Sequence, residues 1–79
     1  MIAWLDEQRT DDAVQANVER FRRTSFAKDL EEDKATWHWM SWPRSSESPL
    51  RFLLRSDQNR HATFTIDGEG REYGRIAEE

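Results

Sequence analysis

The side chains of this sequence that could act as a base near neutral pH are His38 and His61. Neither histidine stands in a recognisable nucleophile setting, and the chain contains no cysteine, no HExxH and no histidine pair four residues apart. Asp67 and Glu69 are spaced like part of a calcium loop, but the next acid of such a loop is missing and a hairpin turn explains them better. No glycine-rich phosphate loop is present. We therefore predict no catalytic residue, no metal site and no cofactor.

Charged and aromatic side chains, in contrast, are abundant, and they indicate binding. Charged residues make up 35% of the 79 residues, the net charge is −4, and three of the four tryptophans lie within residues 37–42. Tryptophan is enriched at interface hot spots because it offers a large contact area at low entropic cost. In an extended segment Trp37 and Trp39 point to one face and Trp42 to the other. We expect the first two to pack inward, and Trp42 with Arg44 to form an exposed anchoring patch.

Acidic residues form a second candidate surface, in the segment DLEED at residues 29–33. Carboxylates spaced along one surface can imitate phosphates and compete for the basic channel of a nucleic-acid-handling machine, and complementary charge would speed the encounter. The plainer interpretation is that these acids keep the protein in solution. The predicted partner-binding residues are Asp29, Glu31, Glu32, Asp33, Trp42 and Arg44, and the predicted partner is a larger protein or nucleoprotein complex.

Arginines supply the main alternative, because ten of the twelve basic residues are arginine. Interleaved with aromatic residues, arginines suit single-stranded nucleic acid. The net charge of −4 argues against this alternative, since phosphate attraction scales with the positive charge offered. The arginines that would carry a small nucleic-acid-binding regulator are Arg22, Arg23, Arg51 and Arg55. A third possibility is an accessory subunit of a larger complex.

In size and charge the chain is similar to the small inhibitors encoded by phages and mobile elements, among them anti-CRISPR proteins. The similarity covers no specific residues. It implies a non-enzymatic inhibitor that occupies a partner surface sterically or as a DNA mimic. The absence of cysteine favours a reducing compartment, so we expect a cytoplasmic protein. No apolar run approaches the roughly 20 residues of a membrane span, and the start, MIAWLDEQ, lacks the basic region of a signal peptide.

The elements that would position these residues begin with a helix in TDDAVQANVERFRR. Val14, Val18 and Phe21 recur at i, i+4 and i+7 and form one apolar stripe. Thr10 or Asp11 is placed to cap its N-terminus. The stretch 10–33 forms the predicted helical part of a single domain over residues 1–79.

Phe26 and Leu30 form a second apolar pair that is rotated away from the first stripe. We expect a break near Thr24 and Ser25, with Ser25 capping a second short helix that ends near Asp33. One continuous helix with two buried faces is the alternative.

The β part covers residues 36–77, where TWHWMSW, RFLLRS, HATFTID and REYGRI are separated by turn-like segments. HATFTID alternates apolar and polar residues, as a half-buried strand does. A bulge at Gly74 would bring Tyr73 and Ile76 to one side, and the opening IAWL fits either a strand or a short helix. The predicted fold is α+β, with an N-terminal helix, possibly kinked or two helices, packed on one face of a three- to four-stranded antiparallel sheet.

Overall fold

The computed structural model describes residues 1–6, 8 and 10–78, which form two helices followed by four strands. The strands form one antiparallel sheet in the order β1-β2-β3-β4, and both helices pack on one face of it. The predicted α+β layout is therefore confirmed. The elements are α1 (Asp12–Arg22), α2 (Ser25–Glu32), β1 (Trp37–Ser41), β2 (Leu50–Ser56), β3 (Arg60–Ile66) and β4 (Glu72–Glu78).

The helical part is broken into two helices at the predicted place. Asp11 caps α1 by accepting a hydrogen bond from the backbone N–H of Val14 at 2.9 Å. Thr24 caps α2, because its hydroxyl accepts from the N–H of Ala27 at 3.2 Å. The prediction that Ser25 is this cap is wrong: Ser25 is the first helical residue, and Thr24 already has the extended backbone that a cap requires.

The core is an aromatic cluster between the helices and the sheet. Phe21, which is fully buried on α1, stacks on Phe52 of β2 at 5.0 Å between ring centroids and meets Phe64 of β3 edge-on at 5.5 Å. Aromatic pairs in these geometries contribute about 0.5–1.5 kcal/mol each beyond their buried area. Three more rings contact Phe21 within 6.5 Å: Trp4, Phe26 and Trp39.

The N-terminal segment joins α2 to β1. Ile2 forms an isolated parallel bridge with Trp37, so the segment 2–5 is neither a regular strand nor a helix. The ammonium group of Met1 donates hydrogen bonds of 2.7–2.9 Å to three carbonyl oxygens around the end of α2, where the helix dipole favours positive charge. The acceptors are Leu30, Asp33 and Ala35.

β4 pairs with β3 in unbroken register from Arg60 opposite Glu78 to Ile66 opposite Glu72. The predicted bulge at Gly74 is therefore wrong. Gly74 instead lies opposite Phe64 on the helix side of the sheet, and Tyr73 faces the other side. Across the described ranges, no helix is both long and apolar enough to cross a membrane.

Candidate binding surfaces

The sheet face that points away from α1 and α2 is not covered by a helix in the described part of the chain. On β2 the residues alternate strictly: Leu50, Phe52 and Leu54 are buried against the helices, whereas Arg51 and Arg55 are exposed on the other side. The pairing register extends this alternation across all four strands. We call this surface the open face; its residues are His38, Ser41, Arg51, Leu53, Arg55, His61, Thr63, Thr65, Tyr73, Arg75 and Ala77.

Pairing places the open-face residues in three rows that run across the strands. The first row contains His38, Arg55, His61 and Ala77. The second contains Ser41, Leu53, Thr63 and Arg75. The third contains Arg51, Thr65 and Tyr73. Adjacent strands are about 4.8 Å apart, so Arg51 and Tyr73 lie about 10 Å from each other across Thr65.

The open face has the opposite charge to the protein as a whole. Its eleven residues include three arginines, Arg51, Arg55 and Arg75, and no carboxylate, although the chain carries 16 acids and a net charge of −4. Tyr73 is 55% exposed and supplies an aromatic ring to the same surface. Glu72 and Glu78 lie on the helix side of β4, and the other described acids lie on the helices, in the N-terminal segment and in the connections. The positive charge of the arginines is therefore concentrated on the open face.

Two of the four predicted acids serve the fold. Glu31 accepts hydrogen bonds from the backbone N–H of Ile2 at 2.7 Å and from the indole N–H of Trp4 at 3.5 Å. Asp33 accepts from the indole N–H of Trp37 at 3.2 Å and from the guanidinium of Arg60 at 2.5 Å. These carboxylates hold the N-terminal segment and the sheet to α2.

The ionisation of Asp33 reflects this role. Burial raises the pKa of its carboxyl, but hydrogen bonds from the backbone N–H of Ala35 and the side chains of Arg60 and Trp37 outweigh burial and hold the pKa below its ordinary value of 3.8. Asp29, Glu31 and Glu32 are all exposed on α2, and of these three it is Glu31 that bonds to the N-terminal segment. The predicted role of these four acids in partner binding stays a prediction.

Trp42 and Arg44 lie on the connection after β1. Trp42 is half-buried, with the guanidinium of Arg44 6.0 Å from its ring centroid, and both line a depression beside Asp11 and Val14. Glu31 lines a different depression, so the acids and the anchoring patch do not form one site. The amide N–H groups of Asn17 fix this connection through the carbonyls of Pro43 at 3.0 Å and Ser45 at 2.9 Å.

The other two tryptophans of this stretch pack inward, as predicted. Trp37 is fully buried, and Trp39 is half-buried against the core. Trp39 and Trp42 are thus both half-buried. Because the indole of Trp42 is only partly exposed, the anchoring patch offers less aromatic surface than the sequence suggested.

The four arginines of the nucleic-acid alternative lie on two different surfaces. Arg22 stacks on the ring of Trp4 at 4.2 Å and pairs with Glu19 at 3.4 Å. Arg23 follows α1 on the helix layer, whereas Arg51 and Arg55 lie on the open face. Sequence reasoning found this pair of β2 arginines but missed Tyr73 and Arg75 as their neighbours. The expected bulge at Gly74 concealed the register that brings them to one face.

Among the residues that the structure describes, no three histidine, aspartate or glutamate side chains come together as a metal site would require. No protein-family model matches the chain, and neither a curated protein nor a solved structure is significantly similar to it.

Proposed function

We propose that this protein is a non-enzymatic binding module whose open face recognises single-stranded nucleic acid. The observation that carries the proposal is a sheet face with three arginines, an exposed tyrosine and no carboxylate on an otherwise acidic protein. Of the arginines that the sequence suggested for nucleic-acid binding, Arg51 and Arg55 on β2 support this proposal. Arg22 and Arg23 lie on the helix layer and are not part of it.

The chemistry of the open face favours phosphates together with unstacked bases. Guanidinium groups bind phosphate oxygens with paired, charge-assisted hydrogen bonds. The ring of Tyr73 offers a platform on which a base can stack, and a base exposes that face only when it has left a duplex. Arg75 lies two residues along β4 from Tyr73, and Arg51 lies across the sheet from it beyond Thr65, so phosphates next to a stacked base can reach a cation in both directions.

The experiment compares two pairs of arginines that change the net charge equally. Binding of a fluorescein-labelled oligonucleotide of about 15 residues, the length range of single-strand sites, is followed by anisotropy in low salt. Arg51→Ala with Arg75→Ala is expected to weaken binding at least tenfold. Arg20→Ala with Arg23→Ala, on the exposed helix layer, is expected to change it less than threefold. An equal loss in both pairs, or no binding by the unmodified protein, contradicts the proposal.

Tyr73 provides the second measurement. Tyr73→Ala removes the stacking platform and is expected to cost about 1–3 kcal/mol of binding free energy, whereas Tyr73→Phe keeps it. Binding is expected to weaken with added salt, with a slope near −0.7 for each phosphate contacted. A duplex of the same sequence is expected to bind less tightly, because its bases are not free to stack.

The second candidate is the predicted inhibitor of nucleic-acid-binding machinery, which is supported by the exposure of Asp29 and Glu32 on α2. Its partner would be the basic surface of a larger protein or nucleoprotein complex, in the manner of phage-encoded inhibitors. Asp29→Lys with Glu32→Lys reverses those charges without touching Glu31. Loss of capture of a nucleoprotein complex from the host by this variant, with the open-face variant unaffected, would favour the inhibitor. Either role suits the cytoplasm, given the absence of cysteine.

A further inference from the structure

The two edges of the sheet are protected very differently. The β1 edge carries a bulge between Trp39 and Ser41, and the N-terminal segment pairs with it: the N–H of Ala3 donates to the carbonyl of Trp37 at 2.9 Å, and the N–H of Trp37 donates to the carbonyl of Met1 at 2.7 Å. Bulges and covering segments are the usual means by which a sheet edge is kept from pairing with another chain. The β1 edge is therefore protected by the N-terminal segment at Trp37 and by the bulge after Trp39.

The β4 edge has none of these protections in the described part of the chain. β4 is seven residues long, contains no proline, keeps an unbroken register with β3 and is exposed along its whole length. Two of its larger side chains, Tyr73 and Ile76, are 55% and 45% exposed. A regular edge of this length offers backbone N–H and C=O groups to another strand.

We propose that two copies of this protein pair through their β4 strands, antiparallel and around a two-fold axis at Gly74, to form one continuous eight-stranded sheet. An interface of this kind is isologous, so each contact occurs twice. The two open faces would become one surface of twice the width.

The side chains of β4 select this register. A two-fold axis perpendicular to the sheet keeps each face on its own side, so a residue pairs only with one that faces the same way. With the axis at Gly74, Tyr73 lies opposite Arg75 of the second copy, twice. Residues directly opposite each other on neighbouring strands are close enough to interact. A guanidinium against one face of a tyrosine ring makes a cation–π contact and leaves the other face of the ring open.

Other registers are poorer. An axis at Arg75 would place that arginine opposite its own copy and Glu72 opposite Glu78, and like charges directly opposite each other are destabilising. An axis at Tyr73 would oppose Arg71 and Arg75. An axis at Ile76 opposes no like charges, but it forfeits both tyrosine–arginine contacts.

Gly74 also suits the position on the axis. It has no side chain, and on the helix side the ring of Phe26 lies directly against it. Phe26 is half-buried in the single copy. Across the two-fold axis the two Phe26 rings would approach each other and be shielded further from water.

The test is the mass of the protein in solution, measured by light scattering and sedimentation from about 5 µM to 0.5 mM, the range in which small interfaces dissociate. The expected mass at the upper concentrations is twice the 9.4 kDa of one chain. Tyr73→Arg, which sets arginine opposite arginine, is expected to raise the dissociation constant at least tenfold. The double variant Tyr73→Arg with Arg75→Tyr exchanges the two partners and is expected to restore dimerisation.

Ser41→Arg is the matched control, because it adds the same charge to the same face on β1, the strand farthest from β4, and should leave the dimer unchanged. Ile76→Lys distinguishes the registers: opposite Glu72 of the second copy it tightens the dimer, whereas with the axis at Ile76 it opposes another lysine and dissociates it. A monomer at every concentration, or a dimer indifferent to Tyr73→Arg, overturns the proposal. No nucleic acid is present, so the result does not depend on what the open face binds.

Discussion

The ring of Phe26 lies against Gly74 with no room between them for a side chain. A Cβ atom built on Gly74 would be 2.7 Å from Cε1 of Phe26, closer than such atoms approach each other in proteins. Phe26 in turn stacks on Phe64 at 5.2 Å between ring centroids, so the ring cannot move away freely. Glycine at this position is what allows α2 to lie against β4.

Gly74→Ala is therefore expected to destabilise the protein by about 1–3 kcal/mol, the usual cost of overpacking a well-packed contact. Gly68→Ala is the matched control, because a Cβ there meets only Ser48 at an ordinary 3.7 Å. Chemical denaturation monitored by circular dichroism measures both variants. Equal stabilities would show that the contact between Phe26 and Gly74 relaxes easily, and pairing Gly74→Ala with Phe26→Leu is expected to recover part of the loss.

This contact also shows how far the sequence predicts the fold. The apolar stripe of α1, the break at Thr24 and the alternation of β3 are local patterns, and the structure follows each of them. The register of β4 is not local, because it depends on the space that Phe26, on a helix 48 residues earlier, needs at Gly74. A glycine in a strand indicates either a bulge or a close approach, and the sequence alone does not distinguish the two.

The candidate surfaces show the same limit. Glu31 and Asp33 belong to a run of acids that looks like a solvated face, yet their partners come from residues 2–4, 37 and 60. The open face, in contrast, is partly predicted by the alternation of apolar and polar residues in β2 and β3. That Tyr73 and Arg75 belong to the same face follows only from the register in which β4 pairs with β3.

Asn17 ties α1 to the connection that carries Trp42 and Arg44. Its side chain is 5% exposed and its amide nitrogen donates to two carbonyl oxygens of that connection. Asn17→Ala leaves those carbonyls without their donor and is expected to cost about 1–3 kcal/mol of unfolding free energy. Limited proteolysis should then cut residues 43–49 faster, while Arg20→Ala, on the exposed side of α1, should leave both measurements unchanged. Unaltered proteolysis in the Asn17 variant would contradict this role.

The pKa of Asp33 makes part of the stability depend on pH. Because its pKa is lower in the folded protein than the ordinary 3.8, the folded state binds the proton less readily than the unfolded chain does. The stabilisation is complete above the unfolded pKa and is lost as the pH falls through the folded one. We expect the urea midpoint of the unmodified protein to fall more steeply below about pH 4 than that of Asp33→Asn. Parallel curves for the two proteins would contradict the assignment.

Glu31 and Glu32 are adjacent in sequence, but the structure gives them different roles. Both are exposed, but Glu31 accepts hydrogen bonds from the backbone N–H of Ile2 and the indole N–H of Trp4. Glu31→Lys replaces the accepting carboxylate with an ammonium group, which cannot accept these two N–H hydrogen bonds. The substitution is expected to destabilise the protein by about 1–3 kcal/mol and to release the N-terminal segment. Glu32→Lys is expected to change stability by less than about 0.5 kcal/mol, as surface substitutions do. Denaturation curves and the intrinsic tryptophan fluorescence, to which Trp4 contributes together with the other three tryptophans, compare the two variants. Equal effects would show that the contact of Glu31 with the N-terminal segment adds no stability. If the stability difference holds, a loss of partner binding by Glu31→Lys alone reports on the fold, and only Glu32→Lys tests the acidic surface.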